Sequence, residues 1–257
     1  MLTIKPLTAF EDNYIWLISH RQHPYVAVVD PGDGECVLRH CQAQNLIPVA
    51  ILITHHHGDH TDGIAAIKQH YNIPVYGPAH EKISEVTHPL TEGGHVVIRE
   101  IEAKFQVIDT PGHTPGHICY YGHGLLFSGD TLFAGGCGRL FGGSAEQMQS
   151  SLEKIRALPD ETLIYCAHEY TVANLTFARI AEPENVAINQ RQQQVQQQRN
   201  QNRATVPSQL WEEKQTNPFL RWDNPLLIEA ASNYSGQTLT NAAAVFAAVR
   251  RWKDDLD

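Results

Sequence analysis

Four candidate metal ligands, His55, His57, Asp59 and His60, fall within six residues of the segment Thr54-His55-His56-His57-Gly58-Asp59-His60. Alternate residues of an extended chain point the same way, so His55 and His57 can face one ion while His56 points away. Gly58 turns the chain toward a stretch with helical spacing at Ile64, Ile67 and Tyr71. Asp59 and His60, at that junction, can face a second ion. These offsets cannot share one helix face, so the arrangement requires a strand-to-helix loop. A single loop histidine is ordinarily a surface residue, but this density directly after the apolar run VAILIT reverses that reading, and the interleaved Asp excludes a histidine tag. Three further candidates follow strand-like runs: His113 in FQVIDTPGHTPGH, Asp130 in LLFSGDT and His168 in TLIYCAHEY. The C-terminal ends of sheet strands are where a fold converges side chains from distant sequence. Two metal ions sharing a water lower its pKa from 15.7 toward about 7, which makes hydrolysis the chemistry to expect.

The elements that must position these residues are legible in part. Strands are expected at Tyr25–Asp30, Val49–Thr54, Val96–Ile101, Phe105–Asp109, His117–Tyr121, Leu125–Ser128 and Thr162–Cys166, and helices at Thr61–Tyr71 and Ala145–Leu158. This mixture implies an α/β layering of sheets covered by helices. Beyond about Tyr170 the strand signals fade. Asn174–Ala181 and Leu239–Lys253 read as helices, Thr205–Pro218 as loop, and Asn185–Arg203, with eight Gln between Gln190 and Gln201, as a polar exposed helix. A boundary is expected near residues 165–175, dividing 1–168, a metal-binding catalytic domain, from 169–257, a helical domain.

Composition narrows the function classes. The chain has 257 residues, 42% hydrophobic and 18% charged, enough for a real core. A net charge of −9 argues against a general nucleic-acid binder. No run reaches the ~18 apolar residues of a membrane span, and the N-terminus lacks the pattern of a secretory signal. Five cysteines without CxxC spacing form neither a disulfide framework nor a zinc ribbon, so a reducing cytoplasm is the expected setting.

The motif His55-x-His57-x-Asp59-His60, followed by His113, Asp130 and His168, resembles that of the metallo-β-lactamase-fold hydrolases. Within that superfamily the chain resembles glyoxalase II, the hydroxyacylglutathione hydrolases. FEDNY at 10–14, GDTLFAGGCGR at 129–139, AHEYT at 167–171, TNPFLR at 216–221 and RRWK at 250–253 carry the likeness along essentially the whole chain. It implies an αββα sandwich with a small C-terminal α-helical domain. It implies two divalent ions per chain, zinc ahead of iron or manganese, among which the ligand types alone do not choose. One ion would take His55, His57 and His113, the other Asp59, His60 and His168, and Asp130 would bridge. A hydroxide held between the ions beside Asp59 and Asp130 would attack the thioester carbonyl. The implied substrate is S-D-lactoylglutathione or a related 2-hydroxyacylglutathione, giving D-lactate and glutathione in the second step of methylglyoxal detoxification.

By the same resemblance Arg139, Phe141, Tyr170, Arg250 and Lys253 would contact glutathione, whose two carboxylates need local positive charge. Relatives often carry Tyr where Phe141 stands, so the ring is kept here and the hydroxyl is lost. Contacts through Arg250 and Lys253 are expected to be partly solvated. His117 is expected to pack or support, and Asp30 to orient a ligand histidine or simply end a turn. Cys137 and Cys166 lack an activating partner. A monomer binding only its small-molecule substrate is expected, with no nucleic acid or membrane partner. The alternatives are a glutathione persulfide dioxygenase of the same fold and a noncatalytic or nucleic-acid-processing member.

Overall fold

A computed structural model describes residues 1–256. The chain packs as two compact units: Met1–Asp109 with Gly116–Gly129, and Thr110–Pro115 with everything described from Asp130 onward.

The first unit contains β1 (Leu2–Ala9), β2 (Asn13–His20), β3 (Tyr25–Val29), α1 (Gly34–Gln44), β4 (Ile47–Leu52), α2 (Gly58–Thr61), α3 (Ile64–His70), β5 (Val75–Pro78), β6 (His88–Leu90), β7 (His95–Ile98), β8 (Ala103–Asp109), β9 (Ile118–Gly122) and β10 (Leu125–Gly129). Strands β1 to β6 form one sheet in chain order, antiparallel from β1 to β3 and parallel from β3 to β6. Strands β7 to β10 form an antiparallel meander. The run at 49–54 is apolar throughout because β4 lies inside the parallel part of its sheet, where both faces are covered. Helices α1 and α3 cover that sheet: Val37, Cys41, Ile64 and Ile67 pack with Ile15, Val26, Val28 and Ile51. Tyr120 of β9 donates its hydroxyl to the Ile53 carbonyl at 2.7 Å, so the meander is tied to the strand end that precedes the histidine loop.

Several elements here escape the hydrophobic pattern, the short strands β5 and β6 among them. β1 is an edge strand interrupted by Lys5 and Pro6, and proline is tolerated there because an edge leaves N–H positions unpaired. β2, its partner, is apolar but has no alternation. α1 buries only Gly34, Val37 and Cys41, and its start is marked instead by Asp33, whose carboxylate accepts the Cys36 N–H at 2.9 Å. The expected strand 96–101 ends at Ile98, where a 3₁₀ turn, Arg99–Ile101, takes over.

The second unit contains β11 (Leu132–Phe133), β12 (Gly136–Cys137), α4 (Ala145–Arg156), β13 (Leu163–Cys166), α5 (Thr171–Ala181), α6 (Val186–Asn200), β14 (Ser208–Gln209), α7 (Leu210–Thr216), α8 (Pro225–Ser235) and α9 (Ala242–Asp254). The Gln-rich segment is a helix, α6, that buries only Ile188, Arg191 and Val195. The segment expected as loop, 205–218, instead holds β14 and α7. α7 is held by polar burial rather than an apolar stripe: Glu213 accepts hydrogen bonds from Arg191, the Gly135 N–H and Asn217. α8, also unanticipated, starts at the cap Asn224 with Pro225 at its first position. Among the described residues all five cysteines are free and no helix is long and apolar enough to cross a membrane.

Candidate metal centre

Two clusters of ligand-type side chains are built, one in each unit. In the first, the loop after β4 carries His55 and His57, whose ring nitrogens Nε2 and Nδ1 lie 3.0 Å apart. His57 caps the short helix α2, which carries Asp59 and His60. His60 directs Nε2 toward Asp59, 3.4 Å from Oδ2, and its ring lies 4.1 Å from that of His55. Asn13 donates to the same Asp59 oxygen at 2.9 Å.

Asp30 orients this cluster. Its carboxylate accepts the Thr54 N–H and hydroxyl, both at 2.8 Å, and lies 3.1 Å from His60 Nδ1. Asp30 thus joins the strand end at Thr54 to the His60 ring, the latter at ion-pair distance. Asp30 holds φ = 50°, a left-handed conformation that disfavours a residue with a Cβ and persists only where its surroundings demand it. Of the two readings of Asp30, the one in which it orients a histidine describes its contacts. Gly32, in the following turn, has no room for a side chain: a Cβ would sit 1.9 Å from the Asp59 carbonyl oxygen. His56 faces away and pairs with Glu81 at 2.7 Å. His117 is buried and stacks on His55 at 4.9 Å.

In the second cluster, His113 and His168 each bring Nε2 to 3.4 Å from one oxygen of Asp130, Oδ2. His113 Nδ1 lies 2.8 Å from the Arg139 carbonyl and must donate to it, so its Nε2 lone pair points toward Asp130. His168 is held flat against Tyr170, with ring centroids 4.7 Å apart and planes 4° from parallel. The bend that returns the chain past Asp130 needs Gly138, where a Cβ would lie 2.0 Å from the Asp130 carbonyl oxygen.

A cleft of about 410 Å³ opens beside this second cluster and is lined by His113, Asp130 and all five residues expected to contact substrate: Arg139, Phe141, Tyr170, Arg250 and Lys253. Arg250 and Lys253 are 2% and 7% exposed, which corrects the expectation of solvated contacts. α9 carries both into the unit rather than along its surface. Arg250 donates to the Cys137 carbonyl at 3.1 Å and to Asp254 at 2.8 Å, over the ring of Phe219. Asp254, four residues after Arg250, also faces Arg139 at 3.6 Å. The sequence reading missed it although the i, i+4 spacing was available. Burial pushes the Cys137 thiol up to about 11 and that of Cys166 to about 12, so neither is a nucleophile at neutral pH. A larger hollow of about 570 Å³ between α5, α6 and α8 holds no histidine, and its one lining arginine, Arg221, is committed to Glu182.

Imidazole nitrogens and carboxylate oxygens directed at one another are a donor set that fits zinc, iron or manganese.

Two family models match the chain: the metallo-β-lactamase superfamily over residues 14–168 and the hydroxyacylglutathione hydrolase C-terminus over 169–256. A hydroxyacylglutathione hydrolase of Nitrosomonas eutropha is 52% identical over 255 residues, covering 99% of each chain. Among solved structures, ETHE1 from Myxococcus xanthus is similar with a TM-score of 0.67 at 25% identity, covering 98% of each chain. TTHA1623 in a di-iron-bound form is similar with a TM-score of 0.58 at 27% identity, covering 85% of this chain and all of the other.

Proposed function

The chain belongs to the hydroxyacylglutathione hydrolase family of the metallo-β-lactamase superfamily, and from that premise we propose that it hydrolyses S-2-hydroxyacylglutathione thioesters, S-D-lactoylglutathione foremost, to the hydroxy acid and glutathione. The observation that carries this reading is the cleft in which Arg139, Arg250 and Lys253 line the same walls as His113 and Asp130.

The His and Asp clusters suit a binuclear metal site. We assign His55, His57 and His113 to one ion, Asp59, His60 and His168 to the other, and Asp130 to both, with zinc ahead of iron or manganese. When bound, such a pair acidifies a shared water and polarises the thioester carbonyl. The protein's own part is orientation. The Arg139 carbonyl keeps the proton of His113 on Nδ1, so that it presents Nε2, and Asp30 sets a carboxylate beside the His60 ring. Arg139, Arg250 and Lys253 take the glutathione carboxylates, Tyr170 offers a hydroxyl, and Phe141 offers a ring without one. A thiolate leaves without a strong acid, because thiols ionise near pH 8.5. Residues 1–168 thus supply every proposed ligand and 169–257 three of the five substrate contacts. A reducing cytoplasmic setting accords with five free cysteines, and the enzyme is proposed to act as a monomer.

The test is purified, metal-analysed protein on S-D-lactoylglutathione, following thiol and D-lactate release in air and under argon. Equal release in both supports hydrolysis. An oxygen requirement would replace it with dioxygenase chemistry, and no release from any 2-hydroxyacylglutathione would end the reading.

A further inference from the structure

We propose that His20, His23 and Glu102 form a separate surface site for one divalent ion of the zinc class, apart from the residues assigned to hydrolysis. The site arises from the turn between β2 and β3. The His23 N–H donates to the His20 carbonyl at 3.1 Å, closing a four-residue turn that sets both imidazoles on one side. Their rings stack with centroids 5.5 Å apart, and His23 in turn stacks on Tyr25. The third member comes from a distant part of the chain. The 3₁₀ turn after β7 ends at Glu102, which takes φ = 53° and so carries its carboxylate toward the hairpin. Each of the three residues offers one donor atom within 4.8 Å of the other two.

The spacing distinguishes a metal site from an ion pair. His23 Nε2 and Glu102 Oε1 are 3.9 Å apart, too far for a hydrogen bond. Donors at about 2.0–2.2 Å from one tetrahedral zinc lie roughly 3.4 Å from each other, so small rotamer adjustments of exposed side chains would close the set. His20 Nδ1 is removed from water and has no hydrogen-bond partner, while its Nε2 lies 3.0 Å from the Met1 amine. Two imidazoles and a carboxylate leave the fourth position to water, a donor set that copper, zinc and nickel prefer to magnesium or calcium. The ion would fasten the β2–β3 hairpin to the turn after β7 within the first unit.

The test uses the metal-loaded enzyme. Wild type, His23→Ala, Glu102→Gln and the double variant are dialysed against micromolar zinc, and metal per chain is counted. Both substituted side chains are exposed, so the variants should fold and keep their activity on S-D-lactoylglutathione. The expected result is one further zinc per wild-type chain, bound at least about tenfold more weakly by either variant and absent from the double variant. Zinc should also raise the unfolding midpoint of wild type and not of the double variant, because an ion bound only by the folded state stabilises it. Equal zinc uptake by wild type and the double variant would overturn the proposal, as would no further uptake by wild type.

Discussion

At the scale of single residues, burial changes what the basic side chains of the cleft should do. Arg250 and Lys253 are inside the protein, so a carboxylate meeting them makes a charge-assisted hydrogen bond worth about 1.5–3 kcal/mol. Lys253→Ala and Arg250→Ala should therefore raise KM for S-D-lactoylglutathione about 10- to 150-fold and change kcat much less, since substrate and transition state carry the same distant carboxylates. Steady-state kinetics with metal content held constant checks this, and unchanged KM in both variants would detach them from glutathione. Salt dependence should follow Arg139, whose side chain is half-exposed, rather than these two. Asp130 and His56 form a second contrast. Asp130 faces both His113 and His168, whereas His56 pairs with Glu81. Asp130→Ala should lose metal and nearly all hydrolysis while His56→Ala keeps both. Elemental analysis beside the assay decides it, and similar losses would mean that the orientation of the loop is wrong.

At the scale of elements, the site depends on close backbone approaches and on helix caps. Gly138→Ala would place a methyl group 2.0 Å from the Asp130 carbonyl oxygen and 2.9 Å from His113 Nδ1. The backbone at Asp130 would have to move, so this variant should bind metal weakly and lose activity. Gly124→Ala, with φ = +74° and nothing within 4 Å, should cost stability alone. Metal titration of the two variants separates these outcomes, and full metal affinity in Gly138→Ala would show that the bend tolerates the methyl. α9, which bears Arg250 and Lys253, is capped by Asn241, whose side chain accepts the Ala244 N–H at 2.9 Å. Asn241→Ala should lower stability by about 1 kcal/mol in urea unfolding and leave metal content intact. A loss near zero would mean that packing alone holds the end of the helix.

At the scale of the whole molecule, buried thiols set an alkaline limit. Cys137 is pushed from the ordinary 9.0 up to about 11 by burial, the neighbouring Arg250 opposing the effect, and Cys41 moves the same way. Between pH 9 and 11 the unfolded chain has released protons that the native thiol still holds, so stability falls as pH rises through that window and is untouched by these groups below it. Cys137 contributes a loss of about 1.4 kcal/mol per pH unit. Urea unfolding at pH 8 and pH 10 should show a steeper loss for wild type than for a Cys41→Ala/Cys137→Ala variant. Parallel losses would assign the alkaline limit to other groups.

Residue types and spacing singled out the ligand-type residues from the sequence by itself, because such side chains are dense at the ends of apolar runs and do not depend on distant contacts to be noticed, and the resemblance of that motif and of segments along the chain implied the family and its hydrolytic chemistry. The central strands were legible for a related reason: burial on both faces writes a continuous apolar run such as VAILIT. β1, α1, α7 and α8 were not, since an edge proline, polar burial around Glu213 and caps such as Asn224 replace the periodic apolar signal. Only the tertiary structure decided that Asp30 orients His60, that the Arg139 carbonyl orients His113, and that Arg250 and Lys253 are buried. Each of these depends on which residues meet across tens of positions of chain, and a one-dimensional pattern carries no record of such meetings.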